Sequence, residues 1–216
     1  MSIPYLVQFQ NDSPNSGSFC LIQSFTKTNE SSFLVAWITR KCHPGTTITY
    51  RWKPDWNMVW CQTEILSPTA EFSALQVVEA DPDNPEKNHI TLTRQDGAYR
   101  FVPDERQAST GTFCITADCS IPNHQVSIGI GMAGFPSILI QAGPNRSYSL
   151  DSHIDYWACF GDYEQGQILD PNILKQAFRL DFPVNVNALS LTLNEANQWS
   201  CAIMKPLSSS GQEYSS

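Results

Sequence analysis

A chain of 216 residues with 41% hydrophobic and only 16% charged residues has the balance of a globular protein and argues against extensive disorder. Its length is enough to bury roughly 70% of the unfolded surface, so a core can form without disulfide or metal staples. The formal net charge of −8 repels phosphate backbones and anionic membrane surfaces, which excludes nucleic acid as an expected partner.

Along the chain, "MSIPYLVQFQNDSPN" carries no basic region followed by a long apolar run, so no signal peptide is expected. No stretch reaches the ~20 apolar residues of a transmembrane segment. Strand-like segments then follow one another: 3–10, 18–25, 33–39, 46–52, 56–62, 71–78, 88–93, 98–102, 112–117, 125–130, 137–142, 156–160, 188–193 and 198–204. Turn clusters such as "NDSPNSG", "CHPGT", "QDG" and "AGPNRS" separate them, and 14 Pro leave little room for long helices.

Three stretches carry candidate chemistry. In "YRWKPDWNMVWCQ", Tyr50 and Trp52 share one face of a strand by period two, as do Trp56, Met58 and Trp60 in the next. Such rings, with Arg51 and Asn57 nearby, can stack a sugar or a flat organic ligand, and they equally suit a sandwich core. "EADPDNPEKN" gathers Asp81, Asp83, Asn84 and Glu86, oxygen donors of the kind calcium takes. It fails as an EF-hand loop, lacking Gly at the sixth position and Glu at the twelfth. "LDSHIDYW" places Asp151, His153 and Asp155 two apart, a row that could transfer protons, or could be the wet side of a strand.

Between the last two lies Gly129-Ile-Gly131-Met-Ala-Gly134, a G-x-G-x-x-G spacing. A dinucleotide fingerprint needs a helix after the turn. Here Phe135-Pro136 and the strand-like "SILIQA" follow, so the glycines are expected at a strand end and a hairpin, and no cofactor is expected. Further on, Asp170-Pro171 is a helix start that can seed a turn or two near 172–176. The tail from Pro206 is polar, low in complexity and expected to be disordered.

Seven Cys, most of them among apolar strand residues and with no C-x-x-C, read as free thiols in a reducing compartment. Cys114 and Cys119 are the nearest pair, without a second pair to complete a zinc site, and no metal is expected. A cytoplasmic location follows as the default. The sequons at Asn29 and Asn145 matter only in a secreted protein. The chain contains no G-x-S-x-G, H-E-x-x-H or Walker motif.

The expected fold is a single all-β domain over 1–205, a two-sheet antiparallel sandwich with a barrel as runner-up and at most one short helix. The segments "FLVAWITRKCHPGTTITYRWKPDWNMVW", "VSIGIGMAGFPSILIQAGPN", "YWACFGDYEQGQILD" and "DFPVNVNALSLTLNEANQW" resemble the RhiA family in wording and order, over most of the chain from Phe19 to Trp199. That family, of bacterial and fungal proteins, is named after a rhizosphere-expressed protein. The resemblance implies one domain and expression controlled by cell density near plant roots, and it brings no assigned catalytic residue.

Three functions are compatible with these residues. The first is a non-catalytic binding protein with a glycan or small organic ligand on Tyr50, Arg51, Trp52, Trp56, Asn57 and Trp60. The second is a cofactor-independent cyclase or isomerase, with an aromatic pocket and His153 or Asp155 moving a proton. The third is a protein that contacts neutral lipid.

Overall fold

The computed structural model describes residues 3–26, 32–62, 66–68 and 70–204. The tail expected from 206 and the sequon at 29–31 lie outside the described residues. The described residues form an all-β sandwich with no closed barrel, and their strands divide among four sheets.

The first sheet has the order β18 (Trp199–Ile203), β17 (Ala188–Leu193), β1 (Tyr5–Asn11) and β5 (Thr47–Trp52). The second is β16 (Phe178–Leu180), β14 (Ile154–Gly161), β2 (Gly17–Phe25) and β4 (Ile38–Cys42). Alternation along β1 turns Val7 and Phe9 inward, where they meet Phe19 and Leu21 of β2 and Leu191 of β17 in a first core. Each of these side chains is fully buried and contributes about 1.5–3 kcal/mol by leaving water.

The third sheet is β15 (Ile168–Leu169), β3 (Ser32–Val35), β12 (Phe135–Gln141), β11 (Ser127–Met132), β6 (Trp56–Cys61) and β7 (Gln76–Ala80). The fourth is β13 (Arg146–Asp151), β10 (Thr112–Ala117), β8 (His89–Gln95) and β9 (Ala98–Pro103). Ile128, Ile130 and Ile138 face Phe113, Ile115 and Leu92 across a second core. The half-buried Trp56 and Ile154 pack against both cores.

Strand β2, "GSFCLIQSF", is buried on both faces. Phe19 and Leu21 face the first core, while Cys20 and Ile22 are covered by Leu34 and Leu169 and flanked by Ile173 and Leu174. The last two residues lie in the 3-10 segment Pro171–Lys175, a single short turn where a helix start was expected. Asp170 caps it, its Oδ1 accepting from the Asn172 amide at 2.7 Å.

Two expectations are refined. The segment 33–39 is not one strand: it breaks at Ala36-Trp37 and passes from β3 in the third sheet to β4 in the second. The fully buried Trp37 holds that bend, its backbone amide donating to Leu21 O at 3.1 Å and its Nε1 to Met132 O at 3.0 Å. The pairing is also not wholly antiparallel, because β1 lies parallel to β17 and β8 parallel to β10.

The glycine motif is a hairpin. Gly129 and Gly131 lie in β11, and a methyl on either would overlap a carbonyl oxygen of β12, that of Ile138 or Phe135. Ala133 (φ 55°) and Gly134 (φ 83°) form the two-residue turn, both in the left-handed region as a type I′ hairpin requires. The register shifts between Ile130 and Gly131, a bulge where the backbones crowd.

Candidate functional site

Period two on β5 turns Tyr50 and Trp52 into the first core and leaves Arg51 exposed. Tyr50 lies under the Arg40 guanidinium, 5.5 Å from the ring centre, and burial pushes its hydroxyl well above the ordinary tyrosine range. Trp52 stacks on Tyr5 at 5.6 Å and meets Trp37 edge-on at 5.4 Å. On β6, Trp60 is buried in the second core against Tyr99, and its Nε1 donates to Gln76 Oε1 at 2.7 Å. The predicted aromatic residues are therefore divided between two cores.

Trp56 stands where those cores meet. Its ring centre lies 5.1 Å from that of Phe113, and the residue keeps part of its surface in a groove of about 610 Å³. Asn57 lines the same groove, its Oδ1 accepting from Gly134 N at 2.8 Å. Its Nδ2 donates to nothing among the described residues. The β11–β12 hairpin fixes this corner a second time, through Ala133 N donating to Asp55 O at 2.9 Å.

The opposite wall comes from β7 and the turn after it. Register sets Asn57 beside Glu79 and Trp56 beside Ala80, which delivers Asp81 and Asp83 to the groove. Asp81 Oδ1 accepts from Asp83 N at 3.0 Å, and Glu79 pairs with Lys87 at 2.8 Å. With Asp55, four carboxylates line the groove, Glu79 among them already paired with Lys87, and no Lys, Arg or His among the described residues lines it. Sequence inspection singled out Asp81 and Asp83 and missed Asp55 and Glu79, whose role depends on the β6–β7 pairing. No group of three or more His, Cys, Asp or Glu among the described residues is placed to hold a metal ion.

His153 and Asp155 engage different partners. His153 is exposed, with its Nδ1 2.8 Å from Asp151 Oδ1. Asp155 pairs with Arg179 at 2.8 Å, and that guanidinium lies 6.0 Å from the Trp157 ring centre. The groove at Trp56 contains neither of them.

A separate polar cluster lies on the outer side of the fourth sheet. Buried His89 reaches Thr116 Oγ1 with Nε2 at 3.0 Å, and Thr116 continues to Ser147 at 2.9 Å. Asp104 accepts from Arg106 and from Thr91. The Arg106 guanidinium, aided by the Thr91 hydroxyl, holds the Asp104 carboxyl well below the usual carboxylate range. No helix among the described residues is long and apolar enough to cross a membrane.

Four sheets packed as sandwiches define an all-β protein with an aromatic and acidic surface groove where its two cores meet. The chain matches the RhiA family over residues 2–203 and belongs to that family. It is 28% identical over 201 residues to Protein RhiA of Rhizobium leguminosarum bv. viciae, covering 90% of this chain and 84% of that one. No solved structure matches it.

Proposed function

We propose that this protein is a non-catalytic binding protein that takes a glycan or a small organic ligand, neutral or positively charged, in the groove at Trp56. The observation that carries this reading is the convergence of a half-buried tryptophan, an amide with an unused donor and four carboxylates on one groove of about 610 Å³. That volume lies within the usual range of small-molecule sites. An indole face attracts the C–H face of a sugar or an organic cation. Asn57 Nδ2 donates to a ligand oxygen, and the carboxylates accept from hydroxyl or ammonium groups. The same carboxylates exclude anions.

A glycan array and a panel of primary and quaternary amines, followed by calorimetry on each hit, test the proposal. Saturable binding without turnover is expected. Trp56→Ala should weaken it at least tenfold, and Asp83→Ala, at an exposed position, should weaken it without disturbing the fold. Failure of every array member and every amine to bind overturns the proposal. So does undiminished binding by both variants.

A further inference from the structure

A second groove, of about 520 Å³, lies at the other end of the first sandwich. Strand β1 leads from one to the other: Tyr5 pairs with Trp52 near the Trp56 groove, and Asn11 leads into the turn that carries Asn15. The floor of the second groove is aromatic. Trp199, half-buried at the start of β18, stacks on Phe178 at 5.9 Å and packs against Phe9 at 5.6 Å. Phe160, near the end of β14, lies 5.9 Å from Phe9. The two rings close the first core from that end and show their remaining surface to the groove.

The rim is polar. Asn197 stands in the hairpin between β17 and β18 with φ 57°, and its Oδ1 accepts from Asn15 Nδ2 at 2.9 Å. That bond leaves Asn15 Oδ1 and Asn197 Nδ2 without partners among the described residues, and the exposed Asp162 carboxylate also has none. An unused donor and two unused acceptors thus surround two aromatic rings. Gly17 keeps the floor flat: a methyl there would lie 3.0 Å from the Phe160 ring.

We infer that this groove is a saccharide subsite that takes one residue of a neutral glycan. A pyranose has an apolar face of axial C–H groups that suits an indole or phenyl ring, and hydroxyls that donate and accept in the same plane. The amide pair and single carboxylate match that mixture, and among the described residues no cation lines the groove to recruit an anionic sugar. This site is independent of the one at Trp56, and either can stand without the other.

The test is saturation-transfer NMR with glucose, galactose, mannose and N-acetylglucosamine and their β-linked dimers, on the full chain. At least one sugar should give a saturable signal, strongest on the protons of one ring face. Trp199→Ala should weaken binding at least tenfold, and Val184→Ala, at an exposed position outside both grooves, should leave this signal unchanged. Because Trp199 also caps the core, the decisive variant is the double substitution Asn197→Gly, Asp162→Ala, which preserves the left-handed backbone and removes only rim groups. A loss of threefold or more supports the subsite. Absence of signal from every sugar overturns it, as does unchanged binding in the double variant. A signal lost in Trp56→Ala and kept in Trp199→Ala also overturns it, and assigns the sugar to the first groove.

Discussion

Gly129→Ala is the sharpest probe of the hairpin. The added methyl would overlap the Ile138 carbonyl oxygen and lie 3.0 Å from both Ile138 C and Leu139 Cα. All three are backbone atoms of β12, so no side-chain rotation relieves the contact. Strand β12 is held on its far side by β3, and β11 by β6, so separating the pair disturbs the sheet on both sides. Overpacking a tight interior costs typically 1–3 kcal/mol, and a backbone neighbour places this case near 3. Gly129 is not in the left-handed region, so Ala returns about 0.5–1 kcal/mol of chain entropy. The net loss is about 2–2.5 kcal/mol. In a chain of this size each kcal/mol lowers Tm by about 2–4 °C, so a fall of roughly 4–10 °C is expected. Gly134→Ala is the control. Nothing lies within 4 Å of its added methyl, and only the φ of 83° opposes it, at a cost of about 1–2 kcal/mol. Circular-dichroism melts of both variants beside the wild type decide the matter. A Gly129→Ala protein that melts with the wild type, or that loses less than Gly134→Ala, would refute the close approach of β11 and β12.

Three further outcomes are expected. Gln76→Ala removes the acceptor that Trp60 Nε1 and Phe101 N share, at 2.7 and 2.9 Å, and so unties the third sheet from the fourth. Two donors lose their partner, and the urea midpoint should fall by the equivalent of about 2–3 kcal/mol; an unmoved midpoint would show that the bridge contributes nothing. Asp104→Asn should cost about 1–2 kcal/mol at neutral pH through its charged hydrogen bonds. Because folding lowers the Asp104 pKa, its contribution is complete above the unfolded carboxylate value near ~3.9 and fades as pH falls below it. Wild type and variant should therefore converge in acid, and a gap that stays constant down to the acid limit of folding contradicts the assignment. The double variant His153→Ala, Asp155→Ala should stay within about 1 kcal/mol of wild type, since His153 and Arg179 are exposed ion-pair partners. A large loss in a denaturation curve would place these groups in a structural role that their surroundings do not show.

Much of the fold is legible in the sequence because strand alternation is local. "YLVQFQN" reads inward at Val7 and Phe9, and "TITYRW" at Tyr50 and Trp52, as the side-chain period requires. The double burial of β2 is visible only in part, as the apolar run Phe19–Ile22, because the equally buried Ser18, Gln23 and Ser24 read as polar; the glycine motif reads as a hairpin once the helix that a nucleotide site needs is missing. Less legible is the break at Ala36-Trp37. Its cause is a hydrogen bond from Trp37 to Met132, on a strand far along the chain. The short strands β15 and β16 escape notice because two or three residues carry too little periodicity to read, and β13 escapes because its start falls in the turn-like "AGPNRS".

The grooves divide in the same way. Trp56 and Asn57 are conspicuous in the sequence, and so is the acidic turn at Asp81 and Asp83. Only the pairing of β6 with β7 brings them face to face. Trp199 and Asn197 stand together in "NEANQW", yet their groove exists only because Asn15 and Phe160 arrive from the turn between β1 and β2 and from β14. By itself the sequence determined most of the strand-forming segments and the turns between them, because those follow from backbone sterics and a period of two. Tertiary structure decided which faces share a core, which strands run parallel and which side chains meet in a groove. Those outcomes depend on how distant segments bury their apolar faces together, and no short window of residues contains that information.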